Sequence, residues 1–227
     1  MAHIPLHPPP TLRYADETRS LVLRPARVAD APALIEAFEE SREALKEFMP
    51  WAHMENTVPQ QEERLAECEK AHMDGGDVVF HLFDEDGGRI LGCAGLHYRT
   101  LNQRGVEIGY WVRTSAAGQG IVTLATQCLC VLVFDYLDYD RYQCAYNEGN
   151  EGSRRVNEKV GFHVEGRHRN FETKPTDEML ANGCRMTSFT VTTALVPDDI
   201  PRLTWYSAIQ AGLTVTSAEG HIHASEA

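Results

Sequence analysis

The chain has 227 residues, of which 43% are hydrophobic and 24% charged, a balance typical of a globular protein with room for one large core. Its formal net charge of −12 argues against an extended nucleic-acid-binding surface, which would be basic, and is compatible with a cationic amine or basic peptide as partner. The sequence has no apolar run long enough for a membrane span, and its proline-rich N-terminus does not resemble a secretory signal. We therefore expect a cytoplasmic protein.

We expect an irregular arm over residues 1–18, one domain over 19–196 and an appended extension over 197–227. Apolar runs bounded by turn residues predict strands at about residues 21–25, 78–83, 90–98, 106–112, 141–146, 163–169 and 184–195. Helical spacing predicts helices from residue 31, with Asp30 as N-cap, and over 42–48, 59–73, 121–137 and 152–160. This order predicts an α+β fold, in which a central mixed, mostly antiparallel sheet is flanked by helices.

Two glycines directly precede the helix predicted at 121–137. Gly118 and Gly120 allow sharp backbone bends and the close approach of a ligand, because they carry no Cβ. The free N–H groups and the positive dipole end of the helix point at this loop, so the loop predicts an anion site, with phosphate as the usual ligand. A P-loop would end in Gly-Lys-Ser/Thr, and a dinucleotide fingerprint would need a third glycine; neither pattern is present.

The loop Ala117-Gly118-Gln119-Gly120-Ile121-Val122 resembles the pyrophosphate loop Q/R-x-x-G-x-G/A of the GNAT family of acetyl-CoA-dependent N-acetyltransferases. Ala117 and Val122 depart from that pattern. A second block, residues 150–166, is similar to the N-x-x-S…E-K-x-G-F…E-G stretch of the same family. The surroundings of Trp51 and the segment 107–111 resemble the RimJ/RimL branch, which acetylates the N-termini of ribosomal proteins. The resemblance covers about residues 20–195, in the family's order.

The resemblance implies a GNAT fold, in which two neighbouring strands splay apart and the pantetheine arm of acetyl-CoA lies in the gap. Backbone N–H groups of the loop would bind the diphosphate, and a strand amide near Trp111 or Val112 would hold the thioester oxygen. Asn150 would bond the pantetheine arm. Ser153 would protonate the departing thiolate, unless it only caps its helix. The residues expected to bind acetyl-CoA are Trp111, Val112, Ala117, Gly118, Gln119, Gly120, Ile121, Val122, Asn150 and Ser153.

Glu107 is the candidate general base. Acetyl transfer needs a neutral amine, and a carboxylate acting through a water molecule can take the proton as the amine attacks. Because side chains alternate along a strand, Glu107 and Trp111 share one face, opposite to Val106 and its partners. A cross-strand salt bridge is the alternative role for Glu107, and Glu165 is the alternative base.

Trp51, Tyr98 and Trp111 are the candidate aromatic walls for the acceptor, with His53 nearby by analogy, although packing is the commoner role of large aromatic side chains. His221 and His223 offer only two ligands, so we predict no metal.

No cysteine pair has the spacing of a metal site or redox motif, so we expect reduced, mostly buried thiols. Cys144 comes shortly before residue 150, where a thiol could approach bound CoA, but core packing is favoured. The six cysteines are Cys68, Cys93, Cys128, Cys130, Cys144 and Cys184.

The sequence thus predicts an acyltransferase that moves the acetyl group of acetyl-CoA directly to a primary amine. A protein or peptide N-terminus is the favoured acceptor, and a small amine, such as an antibiotic or aminoacyl conjugate, is the alternative. Two other classes stay open: a non-catalytic acyl-CoA-binding regulatory module and a nucleotide-binding module. A homodimer is compatible with the sequence.

Overall fold

The protein is built on one sheet with helices on both faces. The computed structural model describes residues 9–84, 88–98 and 104–217, together with the backbone of 220–221. The strands are β1 (Thr11–Ala15), β2 (Ser20–Pro25), β3 (Val78–Phe83), β4 (Ile90–His97), β5 (Gly105–Val112), β6 (Arg141–Asn147), β7 (His163–Arg169), β8 (Phe189–Leu195), β9 (Leu213–Ser217) and β10 (Gly220–His221). The helices are α1 (Ala31–Lys46), α2 (Val58–Met73), α3 (Ile121–Val131), α4 (Glu151–Val160), α5 (Asp177–Ala181) and α6 (Tyr206–Gly212).

Within the described ranges, ten strands form this sheet in the order β10-β9-β1-β2-β3-β4-β5-β6-β8-β7. Neighbouring strands are antiparallel, except that β5 and β6 are parallel. Parallel neighbours need a crossover connection, and α3 lies in the crossover between β5 and β6. The predicted mixed, mostly antiparallel sheet is confirmed. None of the helices in the described ranges is both long and apolar enough to span a membrane.

β5 and β6 are paired over only part of their length. Residues 105–108 of β5 pair with residues 141–144 of β6, whereas β5 continues to Val112 and β6 continues to Asn147. The two strands therefore diverge, and the splayed pair expected from the family resemblance is present. On the β6 side, the backbone of the last four residues of β5 faces a gap rather than a strand.

The core is divided between the two faces of the sheet. On one face, α3, α4 and α6 bury a cluster that includes Val106 and Ile108 of β5. On the other face, α1 and α2 cover a second cluster, which contains Leu65 and Cys93 and against which Trp111 packs. Side chains alternate along a strand, and Val106 and Trp111 indeed pack on opposite faces of β5. The face assignment of β5 from the sequence is therefore confirmed. Glu107 accordingly lies on the face of α1 and α2.

Both segments expected to lie outside the domain contribute to the sheet. Part of the supposedly irregular arm forms β1, because Leu12 and Tyr14 alternate into the core, where they are 0% and 3% exposed. Part of the supposed extension forms α6 and β9; β9 pairs with β1, and Tyr206 and Ile209 of α6 are buried. The sheet therefore includes strands on both sides of the expected domain boundaries at residues 18 and 196, and those boundaries do not limit the sheet. His223 and the side chain of His221 lie outside the described residues.

Two predicted element boundaries are also wrong. α1 runs unbroken to Lys46 where two helical pieces were expected, and the buried Ser41 hydroxyl donates to the Ala37 carbonyl 2.8 Å away within it. The helix predicted over 121–137 is confirmed: α3 spans Ile121–Val131 and continues as a π-helical turn over Leu132–Tyr136. β8 begins at residue 189 rather than 184. The side-chain amide of Asn147 hydrogen-bonds both the N–H and the carbonyl of Thr187, each at 2.9 Å, so these groups are not available for strand pairing.

Asp30 is at the expected position but does not cap α1. Its carboxylate instead accepts hydrogen bonds from Arg24 and from the Arg27 backbone N–H, and it lies 2.8 Å from Nδ1 of the fully buried His81. Although burial opposes ionisation of Asp30, the hydrogen bonds from His81 and Arg24 hold the pKa of its carboxyl well below the ordinary range. Burial lowers the pKa of His81.

Candidate active site

A large cleft crosses the molecule where β5 and β6 diverge, with a volume of about 1370 Å³. Its walls come from the α1–α2 connection, β4, β5, β6, the loop before α3 and the start of α4. The fold thus brings together most residues singled out in the sequence. Those that line the cleft are Trp51, Glu107, Trp111, Val112, Ala117, Gly118, Gly120, Ile121, Val122, Asn150 and Ser153.

The loop before α3 presents a row of unused backbone donors. The first hydrogen bond of the helix runs from the Leu124 N–H to the Gly120 carbonyl, at 2.9 Å. Upstream, the N–H groups of residues 118–123 have no acceptor among the described residues. Gly118 and Gly120 adopt φ values of +76° and +79°, and a Cβ added at either would meet no atom within 4 Å. Unused backbone donors at a helix N-terminus beside the cleft fit an anion such as a diphosphate.

The start of this loop is fixed to α1. The Arg113 guanidinium is 5% exposed and donates to Glu36 at 2.6 Å and to Glu40 at 2.5 Å. Glu40 also accepts from the Ser115 N–H at 2.9 Å, and bonds from Ser115 and Arg113 lower the pKa of its carboxyl to about 2. The Thr114 N–H donates to the Ser41 hydroxyl at 3.0 Å. These bonds saturate the donors of residues 114–115 and hold the six free donors further along in place.

Val112 is one of the β5 residues whose backbone groups face the gap. The Arg113 N–H donates to the Leu91 carbonyl at 2.8 Å, and the Trp111 carbonyl points at Gly92, where an added Cβ would lie 2.3 Å from it. Both groups therefore face β4. Backbone groups alternate in direction along a strand, so the N–H of Val112 points the other way, into the gap beside β6. This N–H is available to a ligand carbonyl.

A hydroxyl pair lies at the closed end of the gap. The Tyr110 hydroxyl and Ser153 Oγ are 2.8 Å apart, and the buried Asn157 amide donates to Tyr110 at 3.2 Å and to the Ser153 carbonyl at 2.9 Å. Asn157 is itself held by Thr193, whose hydroxyl donates to it at 2.6 Å. Burial raises the pKa of Tyr110 well above its ordinary value, so the phenol stays protonated. The pair can therefore deliver a proton into the gap.

Asn150, and not Ser153, caps α4. The Asn150 Oδ1 accepts from the Ser153 N–H at 3.0 Å. The alternative reading of Ser153 as a helix cap is therefore wrong, and its hydroxyl is used by Tyr110 instead. Cys144 also lines the cleft next to this network, 2% exposed, and burial raises the pKa of its thiol to about 11.

The opposite wall of the cleft is aromatic. The Trp51 ring lies 6.3 Å from the ring of Trp111 and 5.5 Å from the ring of Phe38 on α1. Trp51 remains 39% exposed, which leaves part of its surface to the cleft. Glu107 is half-buried on the same face and accepts from the Gln143 side chain at 2.9 Å. Across the strands, Glu107 therefore makes a hydrogen bond with an uncharged amide and not the salt bridge considered as its alternative role.

Four side chains named from the sequence lie elsewhere. The Tyr98 ring packs 6.2 Å from Tyr139 in the core, so it is not an acceptor wall. Glu165 lies on β7, outside the cleft, where it pairs with Arg141 of β6, so it is not placed to act as a base. His53 contacts the Lys46 carbonyl at 3.0 Å. The fourth, Gln119, points its side chain at the Ser115 carbonyl, 2.9 Å away, and offers only its backbone N–H.

Sequence reasoning missed four groups at the site: Tyr110, Asn157, the Arg113–Glu40 pair and His97. Asn157 had a usable signal, because it follows Asn150 and Ser153 at helical spacing on one face of α4. The Arg113–Glu40 pair had none, since 73 residues separate its members. Among the described residues, no group of three or more His, Cys, Asp or Glu side chains could hold a metal ion.

A row of free helix-terminal donors, a gap between two diverging strands and a buried hydroxyl pair define a site for a long ligand with an anionic group at one end. The chain belongs to the GNAT acetyltransferase family: the family model described as "Acetyltransferase (GNAT) domain" matches residues 20–163, more than half of the chain.

Three comparisons illustrate this membership. The putative ribosomal N-acetyltransferase YdaF of Bacillus subtilis is 38% identical over 82 residues, which are 36% of this chain and 45% of YdaF. The match therefore spans less than half of the length of YdaF. The probable N-acetyltransferase YjcK of the same organism is 30% identical over 150 residues, 65% of this chain and 83% of YjcK. The structure of RimL, a ribosomal L7/L12 alpha-N-protein acetyltransferase in complex with coenzyme A, superposes with a TM-score of 0.70 at 19% identity, over 82% of this chain and 98% of RimL.

Proposed function

We propose that this protein transfers the acetyl group of acetyl-CoA directly to a primary amine, and that the favoured acceptor is the α-amine of a protein or peptide N-terminus. The observation that carries the proposal is the arrangement of one continuous cleft. Free N–H groups of residues 118–123 lie at one end, the Val112 N–H faces the strand gap, and the Tyr110–Ser153 hydroxyl pair lies beside it.

The cleft suits the parts of acetyl-CoA in turn. The loop donors would bind the diphosphate, the gap between β5 and β6 would take the pantetheine arm, and the Val112 N–H would hold the thioester oxygen. Asn150 and Trp111 line the path between them. Acetyl-CoA enters as the second substrate and supplies the activated acyl group.

The residues around the gap support direct transfer. A neutral amine nitrogen attacks the thioester carbon, the C–S bond breaks, and CoA leaves as a thiolate. Ser153 donates the proton that the thiolate needs, and Tyr110, hydrogen-bonded to Ser153, can replace that proton. The proton lost by the amine leaves on the opposite face of β5, where Glu107 is a carboxylate within the cleft.

Two observations support the acceptor assignment. YdaF is named as a putative ribosomal N-acetyltransferase, and RimL is a ribosomal L7/L12 alpha-N-protein acetyltransferase. The exposed part of Trp51 beside Trp111 offers an apolar surface for the first residues of a peptide. A small amine fits the same chemistry.

The first test is thermal unfolding with acetyl-CoA, with ATP and NAD as controls. A ligand at one hundred times its Kd stabilises by about 2.7 kcal/mol. Stabilisation by acetyl-CoA alone is expected, and an equal effect of ATP would refute the cosubstrate assignment in favour of a nucleotide-binding module.

The second test is mass spectrometry of acetyl transfer to a library of peptides with free N-termini and to a panel of small amines. Transfer to peptides supports the full proposal, and transfer only to small amines corrects the acceptor. Binding of acetyl-CoA without transfer to any amine would identify a non-catalytic module.

A further inference from the structure

His97 lies in the cleft and has a defined orientation. It is the last residue of β4, it is the cross-strand partner of Glu107, and it lines the cleft on the same face. Its Nδ1 is 2.7 Å from Oδ2 of Asp77, which directly precedes β3. Within the described residues, no hydrogen bond involves its Nε2. The imidazole is therefore anchored at one nitrogen and open to the cleft at the other.

A pair of glycines makes room for this ring. Gly95 and Gly109 face each other across β4 and β5. A Cβ added at Gly95 would lie 2.7 Å from the His97 Nε2, and one added at Gly109 would lie 3.4 Å from it. The imidazole thus lies flat over the two strands, in space that any other pair of residues would fill.

This position brings His97 closer to the acyl group than Glu107. The backbone of His97 is level with Glu107 on the neighbouring strand. Its ring is level with Gly109 instead, which is two residues nearer to Trp111 and Val112. Two residues of strand correspond to about 6.8 Å. Of these two side chains, His97 is therefore the first to meet an amine that approaches the Val112 N–H from this face.

The Asp77 contact prepares the ring as a base. A carboxylate at Nδ1 favours the tautomer in which Nδ1 carries the proton and Nε2 carries the lone pair. It also holds the ring in one orientation. The other charged groups that line this part of the cleft are Glu107 on β5 and Arg64 on α2.

We propose that His97 is the general base that deprotonates the acceptor amine, with Asp77 as its positioning residue. This proposal rests on the proposed acetyl transfer. Glu107 then does not contact the amine. Its carboxylate lies near the His97 ring instead.

The proton balance of the reaction is complete. The ammonium form of the acceptor gives one proton to His97 Nε2, and its lone pair then forms the N–C bond. The nitrogen loses its second proton to water in the cleft as the C–S bond breaks. Ser153 protonates the CoA thiolate and regains a proton from water through Tyr110. His97 returns its proton to water at the cleft opening, so each turnover releases one proton.

The decisive experiment compares His97→Gln with His163→Gln. His163 forms a matched pair with Asp199, at 3.1 Å, on β7 outside the cleft. With a short peptide that carries a free N-terminal α-amine, His97→Gln is expected to lower kcat by about 100-fold, whereas His163→Gln leaves it unchanged. Asp77→Asn lowers kcat less and shifts the acidic limb of the pH–rate profile. Glu107→Gln has a smaller effect than His97→Gln.

A second acceptor distinguishes a catalytic role of His97 from a structural one. An aminooxy analogue of the same peptide has a nitrogen that is already neutral at pH 7, so the loss in His97→Gln should shrink at least tenfold with this acceptor. An equal loss with both acceptors would show a structural role and overturn the proposal. So would normal kcat in His97→Gln together with an inactive Glu107→Gln.

A second measurement does not depend on turnover. Diethyl pyrocarbonate should modify His97 at its open Nε2, and a peptide–CoA conjugate that fills both halves of the cleft should block the modification. Unchanged modification in the presence of bound conjugate would overturn the proposal. If the wild type binds acetyl-CoA but acetylates none of the amines, the proposed function itself fails, and that result is visible before any variant is made.

Discussion

The left-handed backbone at Gly120 should be needed for both stability and acetyl-CoA binding, and Gly120→Ala separates the two effects. At φ +79°, an alanine is strained whatever the surrounding space, and no atom within 4 Å would clash with its methyl group. The substitution should therefore lower the free energy of unfolding through backbone strain alone, by about 1–2 kcal/mol. For a chain of this length, that corresponds to a fall in Tm of about 2–8 °C.

Relief of that strain turns the peptide groups around residue 120, and with them the free donors at the start of α3. If the turn weakens acetyl-CoA binding about tenfold, a concentration that stabilises the wild type by about 2.7 kcal/mol stabilises the variant by about 1.4 kcal/mol. The assay is thermal or chemical unfolding of both proteins, with and without acetyl-CoA at that one concentration.

Gly183→Ala is the matched control. Gly183 has φ +92°, an added Cβ there also meets no atom within 4 Å, and the residue does not line the cleft. The control should lose similar stability and keep the whole acetyl-CoA effect. If Gly120→Ala also keeps the whole effect, the loop donors do not bind the cosubstrate and the reasoning is wrong.

Three further outcomes are expected. Ser153→Ala should lower kcat about 100-fold with little change in acetyl-CoA affinity, in stopped-flow and binding assays; loss of binding instead would contradict the role as acid. Iodoacetamide should alkylate Cys144, whose buried thiol has a pKa of about 11, more slowly than half-buried Cys68 in the native protein, and mass spectrometry should show no difference in urea. The free energy of unfolding should fall as pH drops below about 6.5, since the pKa of buried His81 is lowered in the folded state and the unfolded chain takes up the proton first; His81→Gln should flatten that slope in urea titrations.

Much of the site was predictable because its parts are local in sequence. Gly118 and Gly120 precede a helix, and Asn150 and Ser153 begin another, so backbone rules and helical spacing were enough to mark them. The face of Glu107 followed from strand alternation, and the structure bears it out.

The parts that could not be predicted depend on long-range contacts. The Tyr110–Ser153 pair joins residues 43 positions apart, and the Asp77–His97 pair joins residues 20 positions apart on different elements. No periodicity indicates such pairs, because strand order decides them. Tyr98 was misplaced for the same reason: it follows β4 on the side that packs against Tyr139, opposite to the cleft.

The ends of the sheet were missed for a different reason. β1 has only five residues and β9 five, and two inward side chains in each are too weak a pattern to distinguish a strand from an arm. Each strand is stable because the other covers its edge, with Leu12 opposite Val215. Pairing between the two ends of the chain cannot be derived from either segment alone.

Helix α1 joins the two halves of the cleft mechanically. One of its faces holds the loop before α3 through Glu36 and Glu40, and Phe38 on the same helix packs against Trp51 of the aromatic wall. If the loop binds acetyl-CoA as proposed, a shift of the loop on binding would move the aromatic wall with it, because a helix is stiff over this distance. Affinity for acetyl-CoA would then be linked reciprocally to affinity for the acceptor amine.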